Sequence, residues 1–260
     1  MADAPNTAAP EARTKTGAPL RPRNHPAQYD DLADQWWKPR GAFAMLHWIA
    51  AARARLVPPP SRGEAVLLDV ACGGGLLAPH LDGLGYVHIG VDLSPTAATV
   101  AHAHGVDAVV RGDACRLPFA DASVDVVVAG EILEHVPDRP LAVAECCRVL
   151  RPGGTLVLDT VADTWLARLL VVTVAERIPG AAPRHIHDPA LFVDRRALLV
   201  ECASHGVRLR LNGLRPSLVQ LLGWLARRRG EVDMVPGGPT TVLFQGVGVK
   251  VGSMRRTAAP

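Results

Sequence analysis

The chain of 260 residues has few aromatic side chains, little net charge and no long apolar run. Phe, Trp and Tyr make up 4% of its residues and all hydrophobic types 48%, so aliphatic side chains must fill the core. No stretch reaches the roughly 20 apolar residues that a membrane-spanning helix needs. A net charge of +3 without a concentrated basic patch gives no basis for nucleic-acid binding. The length suits one α/β domain with appendages, or two small domains.

Cysteine is also scarce and does not form a disulfide framework. The five cysteines are odd in number and show no regular spacing, which is typical of reduced thiols in a cytosolic protein. The N-terminal residues lack the apolar core of a secretory signal. We therefore expect a cytoplasmic protein.

Composition divides the chain into three segments. Residues 1–27 are rich in proline and almost free of large apolar side chains, which predicts a disordered tail. Residues 28–57 carry apolar side chains at helical spacing and are predicted to form a helical N-terminal lid, with its helix from Tyr29 to Leu56. The proline run at 58–60 then leads into a domain of residues 62–260.

Strand and helix patterns alternate through the first part of that domain. Such alternation predicts right-handed βαβ units, and hence an α/β fold with a mostly parallel sheet and helices on both faces. Two further strands near the C-terminus, at 207–211 and 241–251, bring the predicted sheet to seven strands and are expected to pair antiparallel. The earlier strands are Val66–Val70, Val87–Asp92, Ala108–Arg111, Val124–Ala129 and Thr155–Asp159, with helices at Leu76–Leu84, Pro95–His104 and Leu141–Leu150.

A glycine-rich loop follows the first strand. Its glycines let the backbone turn sharply and approach a ligand, which is typical of a nucleotide-cofactor site. Asp92, at the end of the second strand, can accept the hydroxyl protons of a ribose. The pattern from Gly73 to Ala78 would also pass as a nicotinamide-dinucleotide fingerprint. Against that alternative, an acidic residue, Asp69, precedes the glycines, and Asp113 follows the third strand.

These blocks resemble the class I S-adenosylmethionine-dependent methyltransferases. The first motif of that family, D/E-x-G-x-G-x-G, reads here Asp69-x-Ala71-x-Gly73-x-Gly75, with alanine in place of the first glycine. We expect this alanine to be tolerated if its φ is negative. The resemblance implies a Rossmann-like fold and S-adenosyl-L-methionine as cofactor. It also implies a contact for each of several residues: Gly73 and Gly75 border the methionine part, Asp92 holds the ribose, Asp113 contacts the adenine amine and Ile132 lies near the cofactor.

A narrower resemblance extends over most of residues 29–214. The segment Trp36–His47 is similar to W-W-D-x-x-G-x-F-x-x-L-H of the ubiquinone-biosynthesis O-methyltransferases, and Arg53 matches an arginine that reaches the cofactor there. The block at 131–138 matches that family's E-x-L-E-H-V-P-D, and residues 187–192 echo its T-H-D-x-x-K-F. The chain departs from the family at Gly213–Pro216 and beyond, in positions that help to shape the acceptor pocket.

Three residues after the fourth strand have two interpretations. In some members of the resembled family, side chains at the places of Glu131, Glu134 and His135 bind Mg²⁺, and carboxylates suit that hard cation. Alternatively, the two glutamates line the cofactor pocket without a metal. His135 is also a candidate general base for a phenolic proton, and His187 is the rival candidate. A purely structural role for either histidine remains the simpler reading.

The resemblance implies methyl transfer to a hydroxyl of a quinol-like or polyketide-like aromatic small molecule. The alternatives are an N- or C-methyltransferase of secondary metabolism, or a cofactor-binding regulatory protein without catalysis. Residues 161–206 are expected to be an insertion that covers the acceptor. Its apolar stretch from Trp165 either packs on the core or rests on the inner face of a membrane as a peripheral contact. The sequence does not indicate an oligomeric state.

Overall fold

Eight strands form one sheet in the computed structural model, which describes residues 21–178, 180–227 and 230–251. Their order is β3-β2-β1-β4-β5-β8-β6-β7. The five strands from β3 to β5 pair in parallel, and the pairs from β5 to β7 are antiparallel. The strands are β1 Ala65–Val70, β2 Tyr86–Asp92, β3 Ala108–Arg111, β4 Val124–Gly130, β5 Leu150–Val161, β6 Val207–Pro216, β7 Met234–Pro236 and β8 Leu243–Lys250.

The predicted Rossmann-like class is confirmed, with one strand more than expected. The extra strand is β7, which has three residues and pairs with the end of β6. Its sequence is too short to show the alternation that identifies a strand. As predicted, the two late strands are antiparallel, and β8 lies between β5 and β6.

Both faces of the sheet are covered, because neighbouring residues of β1 point to opposite sides. Leu68 packs in the cluster that contains α4 and α6 side chains, whereas Leu67 packs in the cluster that contains Leu77 and Leu81. This explains why β1 and β4 are apolar along nearly their whole length rather than alternating. The helices are α1 Ala27–Asp31, α2 Ala44–Ala54, α3 Pro95–Ala103, α4 Arg139–Val149, α5 Trp165–Ala167, α6 Arg195–Ser204 and α7 Leu218–Arg227.

Two predicted helices differ from the structure. The stretch 76–84 has only a 3₁₀ turn at Ala78–His80, because Pro79 cannot donate a helical hydrogen bond and Gly83 adopts a φ of +74°. The single helix predicted over 29–56 is broken into α1, a 3₁₀ turn and α2. Gly41 sits in the break, where an added Cβ would lie 2.5 Å from the Gln35 carbonyl oxygen.

Residues 21–27 differ from the predicted disordered tail. Arg21 donates two hydrogen bonds to Asp31. The backbone nitrogen of Asn24 donates to the His185 carbonyl oxygen at 2.9 Å. The chain therefore enters α1 as a fixed strap. Residues 1–20 lie outside the described part of the chain.

The insertion at 161–206 is only partly helical. After α5 the backbone continues through π-helical turns at Arg168–Val174 and a 3₁₀ turn at Ala175–Arg177. In the part of the chain that the structure describes, none of the helices has the length and apolar character to cross a membrane.

Candidate active site

A cavity of about 800 Å³ opens at the carboxyl ends of β1, β2 and β4. The parallel register brings these strand ends to one edge of the sheet, since Asp69 pairs with Gly90 and with Val128. Ligands of doubly wound sheets bind at this edge. The strap, α2 and residues of the segments 171–175 and 181–187 line the cavity as well.

The glycine-rich loop curves around the cavity in a left-handed backbone conformation. Gly73 has a φ of +52°, and Ala71 has a φ of +58°. The negative φ on which the tolerance of this alanine was made to depend is therefore not found. The loop requires the left-handed region there, as the family's glycine would allow, and the alanine occupies it with strain.

Gly75 is constrained by the packing of α3. Its φ is +77°, and an added Cβ would lie 3.0 Å from the Ala101 Cα of α3. Glycine is needed at this position for the turn and for the close approach of α3. Its predicted contact with the cofactor stays a prediction, since Gly75 is not among the described residues that line the cavity.

Trp36 and Trp37 hold the N-terminal segment against the loop. An added Cβ on Gly73 or on Gly74 would lie 2.6 Å from the Trp36 ring, so only glycine lets the indole lie this close. The Trp37 Nε1 atom donates to the Gly74 carbonyl oxygen at 2.8 Å. Trp36 also lines the cavity, and it therefore acts as part of a cover.

Asp92 fits the ribose role that the resemblance implies. Its carboxylate accepts from the Gly73 and Ser94 amides, each at 2.8 Å, which fixes its orientation at the cavity wall. A carboxylate has about four acceptor sites, so two remain for ribose hydroxyls. Burial raises the pKa of Asp92 although the two amide bonds oppose the rise. Hydrogen bonds donated by a ligand would stabilise the ionised carboxylate further.

The other predicted cofactor residues also come together. Asp69, Asp113 and Ile132 all line the cavity. The Asp113 Oδ1 atom accepts from the Cys115 amide at 2.8 Å, which holds the carboxylate in place. Asp69 is buried, with its Oδ2 atom 3.5 Å from His88 Nε2. Acidic groups thus lie at the carboxyl end of each of the first three strands.

Arg53 forms a buried ion pair that the sequence did not indicate. Its Nε and Nη2 atoms donate to the two oxygens of Asp159 at 2.6 and 2.8 Å. Burial alone would lower the pKa of Arg53. The charge and the hydrogen bonds of Asp159 outweigh burial, so the pKa is raised and the guanidinium stays charged. An added Cβ on Gly130 would lie 1.8 Å from the Arg53 Cζ atom, so glycine is needed where the pair crosses β4. Arg53 lines the cavity, and Nη1 is not used in either bond.

The predicted Mg²⁺ site at Glu131, Glu134 and His135 finds no support. Within the described residues, no group of three His, Cys, Asp or Glu side chains is placed to hold a metal ion. Glu134 accepts from the Thr160 hydroxyl at 2.7 Å, and His135 is bonded elsewhere. Burial raises the pKa of both glutamates, and repulsion from Glu134 adds to the effect at Glu131. Glu131 lines the cavity, as the alternative interpretation expects, whereas Glu134 is not among the lining residues that the structure describes.

His135 lies in a hydrogen-bonded position that makes it a poor base. Its Nδ1 atom is 2.6 Å from Asn24 Oδ1, and its Nε2 atom is 3.4 Å from the Tyr29 hydroxyl. Burial and the neighbouring His187 lower the pKa of His135 to about 3. The ring is therefore neutral at physiological pH and has little affinity for a further proton.

His187 lies beside a carboxylate. Its Nδ1 atom is 3.4 Å from the Glu176 Oε1 atom, and its ring lies 5.4 Å from that of His135, centroid to centroid. Glu176 is itself fixed, because it accepts from the amides of His185 and His187 and from Arg23. These bonds lower the pKa of Glu176 against the opposing effect of burial, so it remains ionised.

Sequence reasoning missed four residues of the site. Asn24 fell in the predicted tail, and Tyr29 stood in a predicted helix without a particular role. Asp159 ends a predicted strand and could have been noticed as an acid at the carboxyl edge of the sheet. Glu176 is the one acidic residue in an otherwise apolar stretch at 165–176, which was also a usable signal.

Comparison with known proteins agrees with this geometry. Residues 68–158 match the family described as "Methyltransferase domain". The ubiquinone biosynthesis O-methyltransferase of Thiobacillus denitrificans is 38% identical over 175 residues, which are 64% of this chain and 75% of that protein. The protein of the same name from Coxiella burnetii is 33% identical over 190 residues, which are 70% of this chain and 81% of that protein.

The solved structures show the same fold. One is a SAM-dependent methyltransferase of Thermotoga maritima, described as a possible histamine N-methyltransferase. The match covers 86% of this chain and 96% of that protein, with a TM-score of 0.60 and 19% identity. Identity this low carries the fold and not the substrate. The curated relatives are more similar and match over most of their length. The chain therefore belongs to the ubiquinone biosynthesis O-methyltransferase family, and it is an S-adenosylmethionine-dependent methyltransferase.

Proposed function

We propose that the protein transfers a methyl group from S-adenosylmethionine to a hydroxyl oxygen of a quinol-like or polyketide-like aromatic small molecule. The observation that carries this proposal is an imidazole next to a carboxylate, His187 with Glu176, at the apolar end of the cavity. The names of the curated relatives, which are O-methyltransferases of ubiquinone biosynthesis, support the choice of oxygen.

The acceptor end of the cavity suits an apolar ring. Aliphatic side chains from α2, from positions 161, 171 and 186 and from β8 line the cavity. Such walls favour a flat, apolar molecule and exclude water from the reacting atoms. The apolar lining residues at this end include Met45, Leu46, Ile49, Val161, Val171, Ile186 and Leu243.

His187 is the proposed general base. A carboxylate at Nδ1 favours the tautomer that carries its proton there, which leaves Nε2 to accept the proton of the acceptor hydroxyl. The positive charge that develops on the imidazole is then stabilised by Glu176. The 3.4 Å separation of Nδ1 and Oε1 is long for a hydrogen bond, and such contacts commonly shorten when substrate binds.

The cofactor residues hold the other reactant. We assign the ribose to Asp92, the adenine to Asp113 and the methionine carboxylate to Nη1 of Arg53, because all three side chains line the cavity. When bound, S-adenosylmethionine supplies a methyl group that is already activated as a sulfonium. The protein therefore has to align the acceptor oxygen, keep water out and remove one proton.

The alternative acceptors make different demands on the site. A neutral amine attacks through its own lone pair and needs no base before transfer, so an N-methyltransferase has no need for the Glu176-backed imidazole. C-methylation of an activated ring would also use a base, and product analysis separates it from O-methylation. A regulatory protein without catalysis would bind cofactor and transfer nothing.

The test is methyl transfer from labelled S-adenosylmethionine to a panel of phenols, quinols and amines, followed by identification of the methylated atom. We expect O-methylated phenolic products. His187→Gln should lower kcat about 100-fold or more, since general base catalysis contributes roughly that factor. The loss should shrink as pH rises toward the pKa of the free phenol, because the acceptor then ionises without help.

The matched control for this variant is His205→Gln, which changes an exposed histidine at the end of α6. It should retain full activity. Products methylated on nitrogen or carbon, or a His187→Gln enzyme as active as His205→Gln, would contradict the proposal.

We also propose a peripheral membrane contact through the helical stretch 165–174. Trp165 is 75% exposed, and Leu169, Leu170 and Val174 are each at least 40% exposed, although they adjoin the cavity cover. Exposed Trp and Leu on one short helical segment suit the interface of a bilayer. Sedimentation with anionic liposomes tests the contact. The Trp165→Ser variant should bind less, and an intact protein that stays in the supernatant would exclude it.

A further inference from the structure

Tyr29 lies at the cofactor end of the cavity and is not used in the reaction as described so far. Its ring stacks on Trp36 and on Phe43, with centroid distances of 6.1 Å in both cases. Trp36 in turn covers Gly73 of the cofactor loop. The stacking leaves the Tyr29 ring little freedom, so its hydroxyl has a fixed position.

The hydroxyl lies among carboxylates that surround the expected cofactor. Burial raises the pKa of Tyr29, and the negative charges of Glu134, Asp92 and Glu131 raise it further. The phenol therefore stays protonated and acts as a dipole rather than as an anion. Its orientation depends on which neighbour takes the hydroxyl proton.

Asn24 fixes which nitrogen of His135 carries the proton, and this decides the orientation of the Tyr29 hydroxyl. The Asn24 Nδ2 atom donates to the His135 carbonyl oxygen at 2.8 Å, and a carbonyl can only accept. Asn24 Oδ1 must then be the atom that faces His135 Nδ1, at 2.6 Å. An oxygen acceptor at that distance requires the proton on Nδ1.

The neutral ring of His135 carries one proton, so Nε2 is left with a lone pair. The Tyr29 hydroxyl, 3.4 Å from Nε2, is then the donor in that contact. With its proton turned toward His135, the Tyr29 oxygen directs its lone pairs elsewhere, and Tyr29 lines the cavity. The chain of contacts thus presents a negative dipole end to the ligand.

The ligand group nearest to this oxygen follows from the chemistry of the cofactor. The sulfonium sulfur joins the ribose carbon to the methionine chain, and Asp92 is the ribose residue while the Gly73 loop borders the methionine part. Tyr29 lies near both of these cofactor-binding elements. The charge of Asp92 acts on its hydroxyl, and its ring stacks on Trp36, which covers Gly73. A fixed dipole at this place stabilises a cation without reorganisation.

We infer that Asn24, His135 and Tyr29 form a relay that presents the Tyr29 oxygen to the sulfonium of S-adenosylmethionine and makes the site prefer this cofactor over its product. S-adenosylhomocysteine has the same ribose, adenine and amino-acid groups, but its sulfur is uncharged. The two ligands differ only at the sulfur, in its methyl group and its charge. The relay therefore favours binding of the reactant and release of the product, and its residues are positioning residues.

The experiment is calorimetric titration of the purified protein with S-adenosylmethionine and, separately, with S-adenosylhomocysteine. Tyr29→Phe keeps the stacked ring and removes the oxygen. It should weaken S-adenosylmethionine about tenfold, the scale of a hydrogen bond or dipole on a charged group, and S-adenosylhomocysteine less than about twofold. No acceptor is needed, so the result is independent of the proposed substrate.

The chain offers a matched control in its other tyrosine. Tyr86 donates to the Pro58 carbonyl oxygen at 2.7 Å, away from the cavity, so Tyr86→Phe should leave both affinities and their ratio unchanged. Asn24→Gly is the second variant, because Asn24 has a φ of +56° that glycine adopts without strain. It should shift the ratio in the same direction as Tyr29→Phe.

The ratio of the two affinities decides between the relay and a structural role. A structural role would weaken both ligands equally or change neither. Equal losses for both ligands in Tyr29→Phe, or an unchanged ratio in both variants, would overturn the inference. If Tyr29→Phe does not fold, the ratio measured for Asn24→Gly decides alone.

Discussion

Replacing Ala71 with glycine should stabilise the fold although it removes a side chain. Ala71 has a φ of +58°, in the region where a Cβ collides with the following carbonyl. The loop cannot relax this angle easily. The Cys72 amide donates to the Val91 carbonyl oxygen at 3.1 Å, and the Gly73 amide donates to Asp92 at 2.8 Å. The strain is therefore kept in the folded state and absent from the unfolded chain.

The expected gain follows from opposing contributions. A residue with a Cβ in the left-handed region costs about 1–2 kcal/mol. Glycine gives back about 0.5–1 kcal/mol because its unfolded chain has more freedom. The methyl group of Ala71 is only half-buried, so its removal loses little hydrophobic stabilisation. The net gain is about 0.5–1 kcal/mol, which raises Tm by about 1–4 °C for a chain of this size.

Thermal unfolding measures the gain, and Ala122→Gly is its matched control. Ala122 has a φ of +51° in an exposed loop away from the cavity, so it should gain about as much. The affinity of Ala71→Gly for S-adenosylhomocysteine should be retained, because the loop keeps its conformation. A lower Tm for Ala71→Gly beside a raised one for Ala122→Gly would refute the strain argument at the loop.

Three further outcomes are expected. Asp92→Ala should weaken S-adenosylhomocysteine by about 1.5–3 kcal/mol in calorimetry, and unchanged binding would remove the ribose role. Arg53→Met leaves Asp159 buried without its cation. It should therefore lower the free energy of unfolding by about 3–5 kcal/mol in denaturant titrations. A loss smaller than the loss from breaking a solvent-exposed ion pair would contradict the burial argument. Because the pKa of His135 is lowered to about 3 from 6.5, the unfolded chain binds the extra proton between these values. Stability should therefore fall as pH drops through that window, and His135→Gln should show a shallower fall, whereas an identical slope would refute it.

The parallel half of the sheet could be predicted because each of its strands is a short apolar run that ends in a chemically distinct residue. The predicted bounds of β3 agree with the structure, and those of β1 and β2 differ by one residue at their starts. Asp69, Asp92 and Asp113 follow from the same pattern, since parallel strands bring their carboxyl ends to one edge. Local sequence contains this information because the βαβ unit is a local structure.

The cover of the cavity could not be predicted in the same way. Asn24 donates to His135, which lies 111 residues away, and Arg23 donates to Glu176, 153 residues away. Composition alone makes residues 21–27 look disordered, because their order depends on these distant partners. The positive φ of Ala71 has a related cause, since hydrogen bonds between the loop and β2 hold the backbone on either side of it.

The same distant contacts explain why the cofactor and acceptor parts of the site depend on each other. Arg53 belongs to the N-terminal α2 and Asp159 to the central strand β5, so their ion pair joins the cover to the sheet directly beneath the cavity. On the acceptor side, Arg23 of the strap binds Glu176, which in turn positions His187. Loss of the cover would therefore expose a buried carboxylate below the cofactor and release the proposed base above the acceptor. The N-terminal segment is consequently a structural part of the active site, because both ends of the cavity need its arginines to be complete.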